Sequence, residues 1–302
     1  MKLQREFERG LVRAAQSLVL AASLMSVSVV AQTVAPLPER VAPAKTWTDH
    51  TWASPDGTKF HYVEQGVGTP IILIHGLTSS AVSNWFNPGI AQKLAKTNRV
   101  IAIDMRGHGD TGPSPADSNG TMIQDIVDFM DYLKLPKAHI GGYSMGGATT
   151  AGLLKVAPDR FITASVMGIG IKETPEWLGK IPTELPVAPT AGTLAPQTAN
   201  AVNSPVGNPG RVDLTARADG APRGAPKGAP DANPEVDLTH IHFPVLALNG
   251  GNDRPISKTH RMWRELSDFT YVVIAGRNHM EACRDPLFGD ALVRFITATN
   301  PK

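Results

Sequence analysis

The chain has 302 residues, of which 42% are hydrophobic and 19% charged, and its formal net charge is +2. That length suits one large domain or two small ones, and the apolar share is enough for a sizeable core. So small a net charge supplies no electrostatic footprint for nucleic acid or an anionic surface, and neither is an expected partner.

At the N-terminus, Lys2, Arg5, Arg9 and Arg13 form a positive region, interrupted by Glu6 and Glu8. The stretch 18–30 that follows is uncharged and mostly apolar. It has the length of a signal-peptide core and is short for a membrane span. Val29-Val30-Ala31 supplies a small-residue cleavage pattern, so residues 1–31 read as a cleavable signal peptide, with an uncleaved anchor as the alternative. The expectation is a bacterial periplasmic or secreted protein with no membrane span after cleavage. Cys283 is the only cysteine, which rules out an intramolecular disulfide and leaves it as a small packing residue.

Residues 32–45 read as an extended linker carrying Pro36, Pro38 and Pro43. Residues 46–53 and 59–64 lean towards β structure on either side of the turn signal Pro55-Asp56-Gly57, which predicts a hairpin. The continuous apolar run 70–74 predicts a strand buried on both faces, ending at His75-Gly76-Leu77-Thr78-Ser79-Ser80. A helix is expected over 88–96, with Ile90, Leu94 and Ala95 on one face. A second buried strand at 99–103 ends at Asp104-Met105-Arg106-Gly107-His108-Gly109, and loop chemistry continues to Gly120. Met122, Ile126, Phe129, Met130 and Leu133 give 121–135 the spacing of an amphipathic helix.

A short strand at 137–140 and a small apolar helix at 148–156 flank Gly141-Gly142-Tyr143-Ser144-Met145-Gly146-Gly147. Further strands are expected at 161–169, 244–248 and 270–274, with a helix at 257–266 between the last two. The chain closes with a helix over 285–297, capped by Asp285 with Pro286 in its first turn. Strands and helices in alternation predict an α/β domain, a mostly parallel sheet with helices on both faces.

Residues 174–234 break this rhythm. Proline and glycine reach about thirty per cent there, a level typical of low-complexity segments. Residues 220–230 are a small basic Gly-Ala-Pro repeat. Such a stretch buries too little apolar surface to offset ordering entropy, so a largely disordered excursion is expected. A short helix around Trp177, Leu178 and Ile181 is expected at its start. The organisation is therefore a signal at 1–31, a linker at 32–45, and a core at 46–171 and 241–302 interrupted by an insertion at 172–240.

The chemistry centres on Gly142-x-Ser144-x-Gly146. A serine on a sharp strand-to-helix turn is lifted out of the sheet, and the two glycines leave room for neighbouring backbone. The start of the following helix brings N–H groups beside the hydroxyl. An activated serine also needs a base, a group to orient that base, and donors for the oxyanion. Asp253 follows the 244–248 strand and His279 follows the 270–274 strand, both at the carboxyl ends where open α/β sheets place their sites. The chain order is Ser, Asp, His.

Taken together, the His75-Gly76 turn, the Asp104-x-Arg106-Gly107-His108-Gly109 turn, the Ser144 elbow and the Asp253 and His279 loops resemble the α/β-hydrolase fold family. The likeness is to its serine esterase, lactonase and perhydrolase-like group, and it runs from about residue 46 to the end. It implies Ser144 as nucleophile, His279 as general base and Asp253 as the acid that orients the imidazole. It also implies an oxyanion hole from the backbone N–H groups of Met145 and Leu77. No cofactor or metal is implied: His75 and His108 occupy turns of this fold and lack metal-ligand spacing with Cys, Asp or Glu. Asp104 is expected to fix its own turn, and Glu173 is an alternative orienting acid.

A serine at the elbow argues against the haloalkane dehalogenases and epoxide hydrolases of this fold, which carry aspartate there. In relatives, a lid follows the 161–169 strand; here the low-complexity insertion takes its place. The expected activity is hydrolysis of small, accessible carboxylic esters or lactones, with a small-molecule ester or acyl compound as the partner. Perhydrolysis or carbon–carbon cleavage by the same three residues, and a non-catalytic binding role on the same fold, are the alternatives.

Overall fold

Eight strands form one sheet in the order β1-β2-β4-β3-β5-β6-β7-β8. They are β1 Thr48–Ala53, β2 Lys59–Gln65, β3 Thr69–Ile74, β4 Asn98–Ile103, β5 Ala138–Tyr143, β6 Phe161–Met167, β7 Val245–Gly250 and β8 Phe269–Ile274. The structure is a computed structural model; it describes residues 35–38, 44–116, 118–181 and 228–301. All of these but Ala35 belong to one compact unit, Pro36–Lys302. The expected signal peptide, part of the linker and most of the low-complexity insertion lie outside the described residues.

The β1–β2 hairpin is antiparallel, with Trp52 opposite Phe60, and β2 also runs antiparallel to β4. From β4 to β8 every neighbouring pair is parallel. Each parallel step needs a crossover, and helices supply it except between β6 and β7, where the described residues hold only a 3₁₀ turn, Pro175–Trp177. The carboxyl ends of β3, β5, β6, β7 and β8 consequently open on the same side.

Side-chain alternation along the strands divides the core between two layers. Ile72 and Ile74 point to the layer that holds Ile126, Phe129, Leu153, Leu154 and Met262. Ile71 and Leu73 point to the other, with Trp85, Phe86, Leu94, Phe288, Leu292 and Ile296. All four aliphatic residues of β3 are fully buried. At about 1.5–3 kcal/mol per buried side chain, this central strand anchors both layers. One layer contains α2 Met122–Tyr132, α3 Met145–Val156 and α4 Pro255–Glu265; the other contains α1 Ile90–Leu94 and α6 Pro286–Thr299. Between them in sequence, α5 His279–Ala282 is a single turn after β8.

Capping follows the sequence at two ends. The Thr121 side chain accepts from the Gln124 N–H at the start of α2, and Asp285 accepts from the Leu287 N–H at the start of α6. Elsewhere the boundaries moved. β5 runs on to Tyr143 rather than stopping at Ile140, because Gly141 and Gly142 stay in the ladder opposite Ser165 and Val166. α3 accordingly begins at Met145, directly after the serine. The helix expected over 88–96 is only Ile90–Leu94, preceded by a π-helical turn, Val82–Phe86, that puts Trp85 and Phe86 in the core. The expected helix around Trp177 is a 3₁₀ turn, Pro175–Trp177, beyond which Leu178 is exposed. The described flanks of the insertion pack on the core: Val236 and Leu238 are buried, and the Lys172 N–H donates to the Pro234 carbonyl.

Candidate active site

Ser144 occupies the junction of β5 and α3 with φ 56° and ψ −112°, a conformation that costs a side-chain-bearing residue of order 1–3 kcal/mol. The surrounding packing holds it there. A Cβ on Gly142 would lie under 3.0 Å from the Gly146 carbonyl, and one on Gly146 would lie under 3.0 Å from the carbonyls of Ile74 and His75. Both glycines of the motif are therefore steric requirements. The Ser144 N–H donates to the Met167 carbonyl at 2.9 Å, which ties the elbow to the end of β6.

His279 reaches the serine from the turn after β8. Its Nε2 lies 2.8 Å from Ser144 Oγ, and its Nδ1 lies 2.7 Å from Asp253 Oδ2. Asp253 is carried by the turn between β7 and α4, where its N–H donates to the Gly250 carbonyl at 3.0 Å. The structure thus brings the three side chains into one hydrogen-bonded line, with Asp253 and His279 both partly buried. Burial alone would raise the Asp253 carboxyl, but the bond to His279 and the charge of Lys258 outweigh it and hold the group below the usual carboxylate range.

The turn that carries the imidazole is held by Tyr143 and by a cap on α5. Tyr143 OH donates to the His279 backbone carbonyl, and the two rings stack at 5.3 Å. Tyr143 is nearly buried, and desolvation pushes its phenol well above the ordinary value, so it serves as a neutral donor. Asn278 caps α5: its side chain accepts from the N–H groups of Met280 and Glu281, and Glu281 accepts in return from the Asn278 N–H.

The two expected oxyanion donors belong to the elbow helix and to the turn after β3. Met145 opens α3, so its N–H has no acceptor within the helix. The Gly76-Leu77 turn passes close to the elbow, since a Cβ on Gly76 would meet Ser144 Cβ at 3.4 Å. The Asn84 side chain holds that turn by accepting from the Gly76 N–H at 3.1 Å. Leu77 itself is 37% exposed.

The remaining polar residues have structural partners. His75 is completely buried; its Nδ1 lies 2.7 Å from the Gly76 carbonyl and its Nε2 accepts from the Met105 N–H at 3.0 Å. Desolvation pushes it down to about 4, so it is a neutral brace between the two turns. Asp104 does fix its own turn, accepting from the N–H groups of Ala81 at 2.6 Å and Asp110 at 3.0 Å and pairing with His61 at 2.8 Å. Although His61, Asp104 and Asp110 cluster closely enough for a metal, Asp104 is already spent on those donors. His108 contacts the Arg106 carbonyl at 3.0 Å. Glu173 turns away from His279: its carboxylate pairs with His260 and Arg264, each at 2.7 Å.

Reading the sequence missed Tyr143 as an anchor, Asn84 and Lys258. Only the Asn278-x-x-Glu281 capping box had a signature to find. Lys258 lies on the first turn of α4 with Nζ 2.7 Å from Asp253 Oδ1, and nothing in its local sequence marks it.

Comparison with known proteins agrees with this architecture. The profile of the alpha/beta hydrolase fold matches residues 69–191. The chain is 36% identical over 118 residues to the (E)-2-((N-methylformamido)methylene)succinate hydrolase of Acinetobacter baylyi, covering 38% of this chain and 43% of that protein. It is 38% identical over 93 residues to Esterase YbfF of Escherichia coli, covering 30% of this chain and 35% of that one. In both cases the match spans less than half of the relative. Among solved structures, a thermophilic esterase from Thermogutta terrifontis superposes with a TM-score of 0.59 at 20% identity, covering 84% of this chain and 100% of that one. With its mixed eight-stranded sheet, its serine on the β5–α3 elbow and these likenesses, the chain has the alpha/beta hydrolase fold.

Proposed function

We propose that this protein is a serine hydrolase that cleaves small carboxylic esters or lactones through an acyl-enzyme. The observation that carries the reading is the continuous line from Ser144 Oγ through His279 to Asp253, with contacts of 2.8 and 2.7 Å. Ser144 Oγ attacks the acyl carbonyl while His279 Nε2 takes its proton. Asp253 holds the Nδ1–H tautomer and stabilises the imidazolium that forms. The oxyanion of the tetrahedral intermediate accepts from the N–H groups of Met145 and Leu77, each such donor being worth on the order of 10²–10³ in rate. His279 then returns the proton to the departing alcohol, and water repeats the sequence to release the acid.

The test is covalent labelling by a fluorophosphonate together with turnover of p-nitrophenyl acetate and butyrate. Wild type labels and turns over; Ser144→Ala does neither. Full labelling of Ser144→Ala would overturn the assignment. Relatives named both as an esterase and as the hydrolase of an unsaturated succinate derivative justify adding conjugated acids to the substrate panel. Turnover confined to those acids would move the reading to the alternative chemistry of the same three residues. The proposed export is checked separately: N-terminal sequencing of the mature protein should begin at Gln32.

A further inference from the structure

Asp253 has two carboxylate oxygens, and they face different partners. Oδ2 meets His279 Nδ1 at 2.7 Å; Oδ1 meets Lys258 Nζ at 2.7 Å. The same Nζ donates to the Gly168 carbonyl at 2.8 Å. Lys258 is one turn into α4, five residues after Asp253, and its side chain is 21% exposed. Gly168, at φ +73°, directly follows β6, and a Cβ there would meet the Tyr143 ring under 3.0 Å and the Ser144 nitrogen at 3.2 Å. The ammonium therefore bridges the loop that carries the acid and the strand end that supports the nucleophile. Backbone packing keeps it there, because a Cβ on Gly170 would fall under 3.0 Å from the Lys258 carbonyl.

This placement has an electrostatic consequence. The Asp253 carboxylate favours the protonated imidazole, and a positive charge on its other oxygen opposes that preference. A like charge close to a titrating group disfavours its charged form, and the partial exposure of this pair keeps such an effect small, on the order of one pH unit. Other charged or titratable groups around the site are otherwise engaged. Arg254, next to Asp253, is exposed and opposes the charge on Lys258 only weakly. Glu281 on α5 is tied to the Asn278 N–H, and Tyr143 on β5 donates to the His279 carbonyl. Cys283 interacts with the Tyr143 phenol, Arg277 pairs with Asp285, and Glu173 pairs with His260 and Arg264. Among the described residues, Lys258 is the Lys or Arg side chain that pairs with the acid.

We propose that Lys258 is a positioning residue of this site. Its ammonium clamps Asp253 Oδ1 against the Gly168 carbonyl and leaves Oδ2 to His279, so that its charge acts on the base through the acid it holds. The inference rests on the reading of Ser144, His279 and Asp253 given above.

The experiment compares wild type with Lys258→Met, Lys258→Gln and Lys258→Arg in two measurements. In the first, kcat/KM for p-nitrophenyl acetate is followed against pH. The acid limb should move up by about one pH unit in the two neutral variants, a tenfold loss on that limb, and return in Lys258→Arg. In the second, the His279 imidazole of the resting enzyme is titrated by NMR with labelled histidine, which needs no turnover. Its midpoint should rise by the same amount in both neutral variants. A neutral variant that folds, loses turnover and keeps the wild-type acid limb and imidazole midpoint would overturn the proposal and leave Lys258 a packing residue. Absence of Ser144-dependent turnover in wild type, with the midpoint still shifting, would instead reject the reaction and keep the electrostatic coupling. Should Lys258→Met not fold, Lys258→Gln carries the same test.

Discussion

Acidification from pH 7.5 to 5 should destabilise this protein well before its carboxylates titrate, and two buried histidines set the size of the effect. His75 and His139 are both fully buried, and desolvation pushes each from 6.5 down to about 4. His139 sits at the start of β5 between Thr163 Oγ1 at 2.8 Å and Asn300 Oδ1 at 2.9 Å. In the native state both imidazoles remain neutral through this range, whereas in the unfolded chain they take up protons below pH 6.5. The unfolded state then binds more protons, so stability rises with pH: it is complete above pH 6.5 and is lost as pH falls towards 4. Integrating the linkage relation from pH 7.5 to 5 gives about 2 kcal/mol per histidine, about 4 kcal/mol for the pair. Against a typical total of about 5–15 kcal/mol, that is a large share. Urea unfolding followed by tryptophan fluorescence at pH 7.5, 6.5, 5.5 and 5.0 measures it. His139→Gln removes one of the two groups, so its loss of stability between the extremes should be smaller than the wild type's by about 2 kcal/mol, whatever the variant's stability at pH 7.5. An equal loss in the two proteins would refute the reasoning.

The elbow, its neighbouring turn and its acid offer three more tests. Gly146→Ala should cost about 3 kcal/mol or more in chemical denaturation, because the new methyl meets the Ile74 and His75 carbonyls. Asn84→Ala strands the Gly76 N–H and should cost about 1–3 kcal/mol; steady-state kinetics should show kcat falling more than KM rises, because the turn carries the Leu77 donor. Asp253→Asn should lower turnover by about 10⁴ with the fold intact, whereas Glu173→Gln should leave turnover unchanged and lower the melting temperature. A reversal of the last pair would transfer the orienting role to Glu173.

The alternation of strands and helices was readable because the parallel strands are buried on both faces and stand out as apolar runs, as in 70–74 and 99–103. The carboxyl-end loops were readable for the same reason: once the strands were located, Ser144, Asp253 and His279 followed their ends. The glycines of β5 hid its last residues. They resemble a break in sequence, yet Gly141 stays in the ladder opposite Ser165, where an added Cβ would press on the side chains of Ser165, Met167 and Leu73. Which acid reaches His279 was not decided by chain order. It depends on α4, whose His260 and Arg264 draw Glu173 away while its first turn lies beside Asp253. Partnerships made across the sheet, such as Lys258 with Gly168 or Asn84 with Gly76, leave no periodic trace in the chain.

The strand order also governs when activity can arise during folding. Ser144 follows β5, Asp253 follows β7 and His279 follows β8, with β6 between the first two in the sheet. The hydrogen-bonded line therefore closes only after β7 and β8 have added to an edge built by the first half of the chain, across a sequence separation of 135 from Ser144 to His279. Such distant pairings form late and slowly. A chain released before its last two strands dock already has its serine elbow but no base to activate it. Regain of ester turnover on refolding should accordingly lag behind regain of helical signal, making catalysis a reporter of the completed sheet rather than of the elbow alone.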